Sequence, residues 1–197
     1  MINDLDKTIE ELFKQDLPPE LVSQVTISFA TPDDQFPPTS VTLPAIDIFL
    51  YDVRENRDLR SNEWTVERHS SGTATKKRPS VRVECSYLIT AWPSESAPNP
   101  AMDEHHLLGE VMKVLLRYAT IPAEVLQGSL KSQEPPLPVI SLQSGRLQSL
   151  GTLWQALGGR PKAALNYSVT IGVDPFEAIE GPVVLEKIIA IKPDVKK

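Results

Sequence analysis

Residues 81–92 read VRVECSYLITAW, and no other stretch restricts the possible folds as sharply. Val81, Val83, Cys85, Tyr87, Ile89 and Ala91 alternate with Arg82, Glu84, Ser86, Leu88 and Thr90. A period of two places alternate residues on opposite faces, which an extended strand satisfies and a helix does not. A long strand is therefore predicted here. Leu165, Tyr167, Val169, Ile171 and Val173, alternating with Asn166, Ser168 and Thr170, predict a second. Val25, Ile27 and Phe29 mark a shorter, half-buried strand. Ile46, Ile48 and Leu50 interleave with Asp47, Phe49 and Tyr51, and two fairly apolar faces predict a central strand. Trp64 and Val66 open another short strand, and residues 183–191 (VVLEKIIAI) are a final β-prone run.

Between these strands lie helical patterns. Ile2, Leu5, Ile9, Leu12 and Phe13 recur at helical spacing, with Asp4 and Asp6 at the end where the helix dipole favours anions, and Leu17-Pro18-Pro19 stops the helix. Asp103 is positioned to cap a second helix, whose apolar stripe is Leu107, Leu108, Val111, Met112, Leu115 and Leu116. Leu147, Leu150, Leu153, Trp154 and Leu157 predict a last helical piece ended by Gly158-Gly159. Residues 31–44, the charge-dense 52–60, the turn 70–73 and PSESAPNP (93–100) read as connections. They are too short for repeated βαβ crossovers. The expected class is α+β, a single domain with a largely antiparallel (mixed) sheet flanked by α-helices. That domain is expected over residues 1–182, followed at 183–197 by a β-prone arm and a basic tail.

Composition adds exclusions. The chain has 197 residues, 41% of them apolar, and a mean hydropathy of -0.18, which is ordinary globular material. Eighteen prolines against nine glycines predict stiff loops. A net charge of -6 argues against a nucleic-acid binder, whose affinity rests on neutralising phosphates. One cysteine, Cys85, excludes an internal disulfide and a cysteine-based zinc site; mid-strand and without a nearby histidine, it reads as a buried, inert thiol. The first residues lack the basic and apolar regions of a secretory leader, and no apolar run approaches the ~18 residues of a membrane span.

Catalytic signals are weak. His106 and Glu110 stand one helical turn apart, with Asp103 nearby, and a small metal-dependent hydrolase built on them is one functional reading. The spacing is not the HExxH zinc pattern, and a polar first turn of an amphipathic helix explains it as well. Gly158-Gly159-Arg160-Pro161-Lys162 lacks the order of a phosphate loop and ends a helix, where anions are repelled. Neither GxSxG nor GxGxxG is present. No catalytic residue, metal or cofactor is expected. The charged segment is more informative. Between Arg54 and Arg82 eight basic residues (Arg54, Arg57, Arg60, Arg68, Lys76, Lys77, Arg78, Arg82) face four acidic ones. In a chain that is acidic as a whole, that surplus reads either as a solvated hairpin or as a docking surface for an acidic partner.

Four strings in this order, FLYDVREN (49–56), VRVECSYLITAW (81–92), DEHHLLGEVMKVLLR (103–117) and WQALGGRPKAALNYSVTI (154–171), carry a resemblance. The chain resembles the cap, or tail-terminator, proteins of extracellular contractile injection systems, the phage-tail-like particles that include the antifeeding prophage and the Photorhabdus virulence cassettes. The resemblance spans residues 1 to about 173. It implies a tail-terminator-like fold and a structural, non-enzymatic role: a homo-oligomeric ring, six-fold in that family, that ends the inner tube and the last sheath layer and stops polymerisation. The implied partners are the sheath and inner tube proteins, with neither nucleic acid nor direct membrane contact. Synthesis and assembly are expected in the cytoplasm, within a particle that is released or membrane-anchored. The candidate interface comprises Tyr51, Arg54, Asn56, Arg57, Arg60 and Arg68, together with Val184, Glu186 and Ile188 of the C-terminal run. That run is open to two readings: an edge strand of its own domain, or a strand exchanged with sheath. A head–tail or baseplate adaptor of a phage-derived particle is the alternative within the same class.

Overall fold

The computed structural model describes residues 1–133, 136–143, 150–159 and 161–182. Helix α1 (Ile2–Asp16) opens the chain and ends where Leu17 turns extended ahead of two prolines. A single turn, α2 (Pro19–Val22), leads into β1 (Thr26–Ser28) and, after the proline loop, into β2 (Ala45–Glu55). Then come β3 (Thr65–Arg68), β4 (Thr73–Lys77), β5 (Val81–Trp92), α3 (Pro100–Arg117), β6 (Val139–Ser141), α4 (Leu150–Ala156), β7 (Leu165–Val173) and β8 (Ile179–Pro182). The main sheet runs β1-β2-β5-β7-β6 and is antiparallel except for the parallel pair β1–β2, so it is mixed as expected.

The long alternation of β5 makes it the spine, paired to β2 along one edge and β7 along the other. Its apolar face (Cys85, Tyr87, Ile89, Ala91) joins Ile46 and Ile48 of β2 and Tyr167, Val169 and Ile171 of β7. Against them pack Leu5, Ile9, Leu12 and Phe13 of α1 and Leu107, Leu108, Val111, Val114 and Leu115 of α3, forming one core. Tyr87 donates its hydroxyl to Asp6 at 2.9 Å, tying α1 to the spine. Burial pushes the Cys85 thiol up to about 11, so it is held as the inert thiol expected.

Four expectations need correction. Residues 52–55 are not a connection: β2 continues through them past a bulge between Leu50 and Asp52, because Val83–Ser86 of β5 offer a ladder that outweighs the local charge. Helix α3 begins at Pro100 behind Asn99, so Asp103 lies in its first turn rather than at its cap. Its buried stripe includes Val114, while Met112 and Leu116 face outward. A second antiparallel sheet, β3-β4-β8, forms beside the first, where a single sheet was expected. Leu147 of the last predicted helix lies outside the described residues.

The polar face of the spine is also buried. Asp47, Arg82, Glu84, Ser86, Thr90, Ser168 and Thr170 are all nearly or fully enclosed. Ser86 and Ser168 hydroxyls meet at 2.9 Å, and Trp92 Nε1 donates to Thr90 Oγ1. Asp47 Oδ1 accepts the Ala30 amide at 3.1 Å, pinning the proline loop to the sheet. Burial of Asp47 dominates its hydrogen bonds and raises its carboxyl to about 7. The folded state therefore holds that proton more tightly than the unfolded chain. Stability is expected to fall as pH rises from about 4 through about 7. Asp47→Asn, which keeps the oxygen facing Ala30, is expected to flatten that slope in parallel melting curves between pH 4.5 and 8. A difference between wild type and variant that stays constant over this range contradicts the assignment.

Candidate interaction surface

The expected interface residues divide once the strands are in place. Asn56 caps the turn after β2, accepting the Leu59 amide, and its Nδ2 donates to Thr170 on β7 at 3.3 Å. Tyr51 takes a 2.5 Å hydrogen bond from Asn166. Both side chains therefore bind the sheet's strands together. Arg54 pairs with Asp52, two residues away. Arg57 and Arg60 approach the Glu55 carboxylate at 3.9 and 3.6 Å. All three arginines remain more than half exposed, where such pairs are worth ~0–1 kcal/mol and leave the guanidinium available to a partner. Arg68 lies exposed on β3, opposite Ala74. Val184, Glu186 and Ile188 lie outside the described residues.

A tighter cluster stands on the small sheet. Cross-strand register puts Val66, Lys76 and Ile179 on one face, flanked by Trp64, Arg68, Arg78 and Phe176. The Arg78 guanidinium lies between two rings, 5.0 Å from Trp64 and 4.6 Å from Phe176, and Lys76 Nζ sits 4.3 Å over Trp64. Stacking of this kind orients cations without neutralising them. Leu59, Val66, Phe176 and Ile179 are exposed around them. An apolar surface studded with ordered cations is the composition of an interface centre, where aromatic residues and arginine carry binding energy. The charge count found Lys76 and Arg78. Trp64, Phe176 and Ile179 were missed as site residues because they are scattered over more than 100 positions, and β8 alone brings them together. A second apolar surface lies on α3, where Met102 and Leu116 are 61% and 57% exposed and Met112 is between them on the same side.

The hydrolase constellation does not assemble. Glu110 is engaged by Lys113 at 2.5 Å, His106 is exposed on α3, and His69 bonds Thr75 at 2.7 Å. Among the described residues no group of three histidine, cysteine, aspartate or glutamate side chains is placed to hold a metal. Among them, too, no helix is long and apolar enough to cross a membrane.

The family described as Pvc16 N-terminal domain matches residues 4–186. The fold is similar to the cryo-EM structure of the sheath/tube terminator, in its extended state, of an extracellular contractile injection system, PVC. The match has a TM-score of 0.68 and 24% identity and covers 100% of this chain and 65% of that one. It is similar also to the cryo-EM structure of the anti-feeding prophage cap, the AFP tube terminating cap, with a TM-score of 0.67 and 26% identity over 96% of this chain and 61% of that one. The chain thus spans a little under two thirds of the length of both structures. No curated protein matches it.

Proposed function

The chain belongs to the Pvc16 N-terminal domain family, and from that premise we propose that it is a structural cap, a terminator of a contractile injection system that closes the end of the inner tube and sheath as a ring of identical subunits. The observation that carries the reading is the fold, similar over nearly the whole chain to a sheath/tube terminator and to a tube terminating cap. The surface supports it. A ring joins unlike patches of successive subunits, so each subunit must present two complementary surfaces. The cationic-aromatic face of the small sheet and the apolar outer face of α3 are two such surfaces. Proline-rich loops that are already fixed lose less entropy against a partner. The sheath and inner tube proteins are the partners in this reading, the ring is six-fold, and assembly takes place in the cytoplasm before the particle is released or anchored. Tyr51 and Asn56 shape the interface by holding β2 to β7, while Arg54, Arg57, Arg60 and Arg68 meet the partner directly. Val184, Glu186 and Ile188 belong to an arm at 183–197.

Electron microscopy of the purified protein, alone and mixed with tube and sheath fragments, tests the proposal. Closed rings and capped tube ends are expected. A lone subunit that ignores tube and sheath ends contradicts it. Within this reading, Arg54→Glu with Arg57→Glu is expected to leave the melting temperature nearly unchanged, since both side chains are exposed, and to weaken ring assembly by roughly tenfold at low salt. Sedimentation over a concentration series measures this, and unchanged assembly removes these arginines from the contact.

A further inference from the structure

Beside the cationic-aromatic face, the β3–β4 hairpin and the segment carrying Pro136 and Pro138 enclose a cleft of about 650 Å³. Its walls are Trp64, Pro79 and the two prolines, and Arg82 of β5 forms part of its lining. Arg82 is only 8% exposed, yet among the described residues it makes neither an ion pair nor a side-chain hydrogen bond. Burial moves its pKa downward, with no carboxylate among the described residues acting on it. The site is built around this guanidinium. Arg82 pairs in register with Gly172, where a Cβ would come within 3.4 Å of Arg82 Nη1. Gly172 is held in turn by Gln133 through both its amide and its carbonyl. The other cations at the cleft are Arg78, clamped by Trp64 and Phe176, and Lys77, which is already engaged by Asp174 at 2.7 Å. Among the described residues Glu63 is the carboxylate in the lining, and it is exposed, just ahead of β3.

Enclosing a cation without a partner is costly, and a planar guanidinium is matched best by a carboxylate that takes two parallel hydrogen bonds. We propose that this cleft receives a carboxylate side chain of an acidic peptide segment from another protein chain, with Arg82 as the buried hydrogen-bond donor to it and Arg78 at the lip. The volume falls within the ~300–1,000 Å³ of ligand pockets and far exceeds an inorganic anion. The aromatic and proline walls suit the apolar parts of a peptide. The exposed strand β3, whose Thr65 also lines the cleft, runs alongside. This assignment goes beyond the cap reading and stands on the cleft alone, whichever chain supplies the segment.

The test uses the full chain at low ionic strength with three probes: acetylated hexaglutamate, acetylated hexaglutamine and inorganic phosphate, followed by calorimetric titration. Hexaglutamate is expected to bind; hexaglutamine and phosphate are not. Losing one partner of a buried charge pair corresponds to ~30-fold or more in affinity, so Arg82→Gln is expected to weaken hexaglutamate binding by at least that factor. Arg78→Gln, at the lip, is expected to lose a few-fold. Arg82→Gln is also expected to melt no lower than wild type, because it removes an unpaired buried charge. A merely structural arginine would give the opposite result. Failure of wild type to bind hexaglutamate, equal binding of phosphate or hexaglutamine, undiminished binding by Arg82→Gln, or an Arg82→Gln protein that is unstable or unfolded each overturns the proposal. None of these outcomes depends on ring formation, so the cap reading stands or falls separately.

Discussion

Phe13→Ala is expected to lower the unfolding free energy by about 3–5 kcal/mol, the range for truncating a buried aromatic side chain. Phe13 is fully buried on α1 and belongs to the cluster that joins α1 and α3 to the apolar face of β2, β5 and β7. Interiors are packed to crystal-like density, so the neighbours relax only partly into the vacated volume. In a chain of this size, a loss of that order lowers the melting temperature by roughly 6–20 °C. A scanning-calorimetry shift of only a degree or two would show that α1 is not seated on the sheet as described.

Trp154→Ala is expected to cost a similar ~3–5 kcal/mol for a different reason. Trp154 is 2% exposed and lies outside the α1–α3 cluster. Gly159 brings the chain against its ring, and the same glycine faces the carbonyl of Pro32 in the proline loop. Trp154 thus closes a second, smaller packing layer on the side of that loop, where Phe36 also stacks on Trp92 with ring centroids 4.3 Å apart. Its indole Nε1 is buried and has no hydrogen-bond partner among the described residues, so Trp154→Phe is expected to cost less than the alanine change. Because Phe13 and Trp154 share no packing cluster, their losses should add within ~0.5 kcal/mol. The double variant would then lose ~6–10 kcal/mol, enough to exhaust the ~5–15 kcal/mol net stability of a typical domain. Denaturant titration of the two single variants and the double variant measures both expectations. Strong non-additivity would mean that the two layers form one core.

Local pattern and tertiary context contributed unequally to the site. The cationic surplus between Arg54 and Arg82 was visible as a count, but a count does not say which guanidinium is neutralised. Arg54, Arg57 and Arg60 meet Asp52 and Glu55 because β2 continues to Glu55 and the turn that follows it carries Arg57 and Arg60 back beside the strand's exposed end. Arg78 is ordered by Trp64 and Phe176, residues 14 before it and 98 after it in the chain. Arg82 lies near the start of the clearest alternation in the protein. An alternating strand ordinarily exposes its polar side to water. Here the proline loop is pinned to that side through Asp47, and the polar side chains are buried and close on one another instead.

By itself, the amino-acid order determined the strands and helices that carry a strong period: α1, β5 and β7, the central placement of β2, the α+β class and the inert Cys85. Periodicity is a local property, set by how backbone geometry presents successive side chains, and no distant contact is needed to express it. Tertiary structure alone decided the extension of β2 to Glu55, the separation of β3, β4 and β8 into their own sheet, the burial of the spine's polar face and the enclosure of Arg82 beneath Trp64 and the prolines. Each of these depends on pairing or desolvation between residues far apart in the chain, whose energies exceed local preference and leave no trace in neighbouring letters.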